Sequence, residues 1–127
     1  MSSKAPLGRV LGLGVSSGTH HWWLQRVSSL ALVLLGPWFV LCLLSMPDFA
    51  LETVRGALHR PWNALLTVLL VGVTAHHSWL GVTVVVEDYI PKKSVKFALL
   101  LVLQAIHVLC AAGAIFAVLK VAFGSGA

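Results

Sequence analysis

Three long runs without Asp, Glu, Lys or Arg dominate the chain, at residues 27–46, 61–86 and 97–119. Each reaches the roughly 20 residues that an α-helix needs to cross a hydrocarbon core. The pattern predicts an all-α membrane protein with three transmembrane helices, at about 27–46, 62–86 and 97–121. Together they form one domain over 21–127, preceded by a segment at 1–20. Between the first two runs lies DFALETVRGALHRPW, where Leu51, Val54 and Leu58 recur at helical spacing while Glu52, Arg55 and Arg60 fall elsewhere. That spacing predicts a short helix at about 49–59 lying on the outer membrane surface, with Asp48 as its N-cap. Gly36-Pro37 falls inside the first span, where a proline kinks a helix or frees a carbonyl; Pro47-Asp48 ends that span and Pro61 opens the second. In the third span Ala111, Ala112, Gly113 and Ala114 are small enough for close helix packing.

Composition narrows the class further. With 58% hydrophobic and 10% charged residues among 127, the chain has too little polar surface to cover a soluble core. The formal charge of +5 raises the question of nucleic acid, but the basic residues form no cluster on a soluble face, and no nucleic-acid partner is expected. They report orientation instead. Lys4, Arg9, Arg26, Lys92, Lys93 and Lys96 fall on one side of a three-pass chain, and Arg55, Arg60 and Lys120 on the other. The positive-inside rule then puts the N-terminus and the second loop in the cytoplasm of a bacterium, or on the matrix side in a mitochondrion. The head MSSKAPLGRVLGLGVSS lacks an apolar signal-peptide core and is expected to be loosely ordered. A plain bacterial N-terminus is preferred there over a transit peptide. Cys42 and Cys110 lie inside spans without CxxC or Cys-His spacing, which suits apolar packing better than a zinc or iron–sulfur site.

Ionisable groups inside a bilayer are expensive and mark functional sites by default. His76, His77 and His107 are such groups; the competing reading for each is an interhelical hydrogen bond from a neutral imidazole. His77 lies about nine residues from the cytoplasmic end of its span, roughly 13 Å deep. Gly81, four residues on, shares its helical face and leaves room for a flat macrocycle, which suits a b-type haem. If the helix continues, His77, Gly81, Val84 and Asp88 form one stripe leading to the interface, with Tyr89 beside its end. A phenol there can donate to a carbonyl oxygen, or serve only as an aromatic-belt anchor. Arg26 is expected at the height of Tyr89, where its fork suits a haem propionate; the competing reading is a snorkelling arginine. Trp22 and Trp23 have the character of interfacial anchors, and His20 or His21 could reach the same anion. A second axial histidine would be His107 or His76 of this chain, or would come from another subunit.

HSWLGVTVVVEDY, residues 77–89, resembles the H-x-W-x-G-x(6)-D-Y signature of the small hydrophobic D subunit that anchors succinate dehydrogenase (respiratory complex II) in the membrane. The H-x(5)-R spacing from His20 to Arg26, the three spans and the inside N-terminus resemble the same family, over nearly the whole chain from about residue 16. The resemblance implies a fold in which the three helices form half of a haem-binding bundle completed by a partner anchor subunit. It implies that His77 is an axial ligand of haem b and that the second ligand belongs to a cytochrome b-type C anchor subunit. Arg26 and His20, with His21 as the alternative, match the propionate contacts. Tyr89 matches the tyrosine that hydrogen-bonds ubiquinone, supported by Asp88 and with Arg26 at the same edge. His107 is then structural, bonded to Gln104 one turn away.

The implied partners are the C anchor, an iron–sulfur subunit, a flavoprotein and membrane lipid. The implied location is the bacterial inner membrane, preferred over the mitochondrial one. The chain would be a non-catalytic subunit that holds ubiquinone for electrons from succinate oxidation. Three alternatives remain: the anchor of a quinol:fumarate reductase, a b-type cytochrome ligating through both His77 and His107, and a small transporter or structural membrane protein whose histidines only tie helices.

Overall fold

The computed structural model describes residues 16–124, with side chains from Thr19 onward. The head expected to be loosely ordered lies outside these residues up to position 15. All regular structure among the described residues is helical: α1 (Ser16–Leu44), α2 (Leu51–Leu58), α3 (Pro61–Tyr89) and α4 (Lys93–Phe123). Helices α1, α3 and α4 are each long and apolar enough to cross a membrane.

The long helices outrun the charge-free stretches. α1 extends back to Ser16 and stops at Leu44, α3 continues through Glu87 and Asp88 to Tyr89, and α4 spans Lys93–Phe123. A charge interrupts an apolar run without interrupting the backbone hydrogen-bond ladder, so helices continue into the headgroup region where Arg and Lys reach water. The 31 residues of α4 measure roughly 46 Å at 1.5 Å each, against a core about 30 Å thick. Pro37 sits inside α1, where it leaves the Val33 carbonyl without its helical donor. α3 starts with proline at its first turn, where a missing N–H costs nothing.

α3 is the central element and packs against both α1 and α4. The short α2 lies against α3 and α4. Its N-cap is Ala50 rather than Asp48, and Ala50 offers no capping side chain. Asp48 acts from two residues upstream, accepting from the Ala50 N–H and the Thr53 hydroxyl. Those two bonds hold its carboxyl below the usual carboxylate range, the Thr53 bond contributing most. Glu52 and Arg55 pair at 2.9 Å on the outer face of α2, and Asn63 donates to the Ala57 carbonyl at 3.0 Å, tying the end of α2 to α3. At the other membrane face, Lys96 donates to the Glu87 carbonyl at 2.8 Å and so occupies an acceptor in the last turn of α3. Of the small-residue patch on α4, Ala111 and Ala114 line a groove shared with Leu70, Val71 and Ala75 of α3, while Ala112 and Gly113 are exposed. Only half of that patch serves packing within the chain.

Candidate functional site

Ser28 is the one buried polar residue among the described residues, and it marks where α1 meets α3. Its Oγ lies 2.9 Å from Nδ1 of His77 and 3.0 Å from the carbonyl oxygen of Gln25. Ser29 also donates to that carbonyl, at 2.7 Å. His77 is half-buried. Its Nδ1 is engaged, whereas Nε2 has no hydrogen-bond partner among the described residues and is not sealed beneath protein atoms. One turn on, a Cβ added to Gly81 would meet nothing within 4 Å. The surface of α3 one turn beyond the free nitrogen is thus open, as it is at Gly36, Gly56, Gly72 and Gly113. Because α3 is unbroken to Tyr89, the stripe His77, Gly81, Val84, Asp88 does lie on one helical face.

His107 is arranged differently. Its Nδ1 lies 2.8 Å from the Leu103 carbonyl, which can only accept, so Nδ1 carries the hydrogen. The remaining lone pair, on Nε2, accepts from the Ser78 hydroxyl at 3.1 Å. Both nitrogens are used, and the partners are Ser78 and Leu103, not Gln104. Trp79 meets the same ring edge-on, with centroids 6.0 Å apart. Ser78 and His77 are about 100° apart around α3, so His77 turns to α1 while His107 is bound on the side of α4. His76 is exposed beside the groove between α3 and α4 that Trp79 and Gln104 also line.

The Ser28–His77 contact sets the register of α1 against α3, and it revises one expected height. Tyr89 is twelve residues beyond His77 and Arg26 only two before Ser28. At 1.5 Å per residue the Arg26 backbone stands roughly 15 Å nearer the membrane centre than that of Tyr89. Arg26 is thus level with the His77 layer, not with the phenol. Its guanidinium turns back one turn to lie 5.2 Å from the centre of the Trp22 ring, and Trp22 in turn meets Trp23 edge-on. No hydrogen bond or ion pair joins Arg26 to Asp88 or Tyr89 among the described residues. Asp88 is exposed and Tyr89, the last residue of α3, is 79% exposed. His20 is exposed as well, whereas Nε2 of His21 and Oε1 of Gln25 are sealed inside the chain without partners. Of these two histidines, His20 is the more exposed.

Two contributors carry no signal of their own in the sequence: Ser28 and Ser78. A hydroxyl in a membrane span reads as neither charged nor catalytic. The available clue to Ser28 was positional, since it follows Arg26 by two residues in a span that must run antiparallel to the one carrying His77. Among the described residues no three His, Cys, Asp or Glu side chains gather into one group.

The family model described as succinate dehydrogenase/fumarate reductase transmembrane subunit matches residues 1–117. The succinate dehydrogenase hydrophobic membrane anchor subunit of Rickettsia bellii is 31% identical over 80% of this chain and 82% of its own. That of Rickettsia felis is 30% identical over 70% of this chain and 74% of its own, and that of Paracoccus denitrificans 34% over 61% of each. No solved structure matches the chain. A family match that covers most of the chain, on a bundle of three membrane-spanning helices, leads to one conclusion: the chain belongs to the succinate dehydrogenase/fumarate reductase transmembrane subunit family, as a multi-pass membrane anchor.

Proposed function

We propose that this anchor holds one axial position of a haem b through His77 and presents the Asp88–Tyr89 end of α3 to ubiquinone, in a complex that oxidises succinate. The observation that carries the reading is the state of His77: Nδ1 fixed by α1, Nε2 unpartnered and accessible, and open space over Gly81 one turn away. A haem bound there supplies a one-electron centre within the membrane. The residues do the rest. His77 would hold the iron, and a C anchor subunit would supply a second histidine. Arg26, close in level to His77, neutralises a propionate, with His20 reaching it from nearer the surface and the half-buried His21 as the alternative. Of the two roles expected of Arg26, the register favours this one over a direct contact with quinone.

Ubiquinone reduction takes two electrons and two protons, so its site must be apolar for the ring yet reachable by water. Tyr89 meets both needs. It ends an apolar helix, it is exposed, and its hydroxyl can donate to a quinone carbonyl. Asp88 beside it is an exposed carboxylate in contact with water, and Lys96 fastens the same end of the helix. Electrons reach this edge from an iron–sulfur subunit and a flavoprotein on the cytoplasmic face of a bacterial inner membrane. The six basic residues before the charge-free run of α1 or between those of α3 and α4 support that orientation. The names of the relatives favour succinate oxidation over fumarate reduction. The doubly bonded His107 disfavours a cytochrome with both ligands in this chain.

The test is copurification. The solubilised chain is expected to bring a flavoprotein, an iron–sulfur protein and a second anchor, with a b-type band that succinate reduces and ubiquinone reoxidises. A complete complex without that band would overturn the haem assignment.

A further inference from the structure

We infer that Ser28 is the positioning residue for the iron ligand: it holds the His77 ring with hydrogen on Nδ1 and leaves the Nε2 lone pair for the metal. This inference rests on the haem reading above. A serine facing an imidazole can donate or accept. If Ser28 donated to Nδ1, the ring hydrogen would sit on Nε2 and no lone pair would face outward. The Gln25 carbonyl favours the arrangement in which Ser28 accepts. It lies 3.0 Å from Ser28 Oγ and can only accept, so the Ser28 hydrogen has a place of its own and Oγ is free to accept from Nδ1–H. Ser29 also donates to that carbonyl, which as part of α1 already accepts the helical Ser29 N–H, so the two hydroxyls share its remaining acceptor capacity. The result is a relay that runs from Nε2 through the ring to Ser28 and into the backbone of α1. Its central atom is sheltered, since Ser28 is 6% exposed and water cannot readily take its place. Partners of this kind fix the tautomer and orientation of a metal-bound histidine and raise its basicity.

The experiment uses the assembled complex with Ser28→Ala, Ser28→Cys and Ser28→Thr, and Ser29→Ala as a control. Haem per complex, the midpoint potential and the resonance Raman iron–histidine band are read together. Loss of the strong acceptor in Ser28→Ala is expected to weaken haem retention about tenfold or more. In the haem that remains, the potential should rise, because a less basic imidazole stabilises the oxidised iron less, and the iron–histidine band should shift. Ser28→Cys keeps the shape with a weak acceptor and should follow the alanine variant even if the latter assembles poorly. Ser28→Thr and Ser29→Ala should resemble the unmodified complex. Unchanged retention, potential and band in Ser28→Ala or Ser28→Cys would overturn the role of Ser28 while leaving the haem assignment standing. An unmodified complex without haem would instead remove the assignment on which the inference rests.

Discussion

The phenol of Tyr89 and the imidazole of His77 lie on one helix, roughly 18 Å apart along its axis, and they face different neighbours. His77 turns to α1, and Tyr89 stands at the surface. Replacing Tyr89 by Phe removes one hydroxyl and leaves the helix end intact. A lost hydrogen bond of about 1 kcal/mol corresponds to a roughly fivefold effect. The Michaelis constant for ubiquinone should rise by about that factor or more, while succinate oxidation by a soluble dye that bypasses the anchor stays unchanged. Identical ubiquinone kinetics in the variant would reduce Tyr89 to an interfacial anchor. At this scale the sequence was informative where residue type is unusual for its place. Histidines in an apolar span and an Asp-Tyr pair at its end stand out against leucine and valine. Ser28 and Ser78 do not, because a hydroxyl is unremarkable in a membrane helix and its value depends on which ring it meets. The height of Arg26 was misjudged for a related reason. Its level follows from the Ser28–His77 register, a contact between residues 49 positions apart that no local pattern contains.

The helices were legible as elements, but their ends were not. Runs free of charge mark the part of a helix that can sit in hydrocarbon, whereas its ends depend on where backbone groups find other partners. Hence α1 runs past Arg26 and α3 past Glu87. The short helix α2 falls within the range 49–59 expected for it, because its spacing is helical and prolines bracket it. Asp48 was recognised as important to that helix but given the wrong geometry, since its carboxylate works two residues ahead of the cap. The arrangement has a pH consequence. A carboxyl held below its ordinary value of 3.8 stabilises the structure above that value, and the contribution is lost as pH falls through the lower, folded-state value. Asp48 is fully exposed, so the effect is local and modest. Amide exchange in the complex should show faster exchange over Leu51–Leu58 in Asp48→Ala at neutral pH, with α3 unaffected. The same acceleration should appear in the unmodified protein only in strong acid. Equal protection of α2 with and without the carboxylate would remove Asp48 from its support.

For the whole molecule, the notable property is how little this chain covers of itself. Ser28, Ala64, Leu80, Val86 and Ala122 are its buried residues among those described, while Leu34, Leu109 and Phe123 are each more than 70% exposed. Lipid tolerates such surfaces, so apolar exposure alone does not call for a partner. The proposed site is what calls for one. His77 offers one nitrogen, Gly81 opens onto space, and the remaining membrane histidine with a well-defined setting, His107, has both nitrogens engaged. On the proposed reading half of a binding site is built here, which the sequence could state only through family resemblance. The most direct test is the reduced-minus-oxidised absorbance spectrum of the purified complex carrying His77→Leu, beside one carrying His107→Leu. The b-type band should vanish in the first and persist in the second; a band that survives His77→Leu at full amplitude would contradict the assignment.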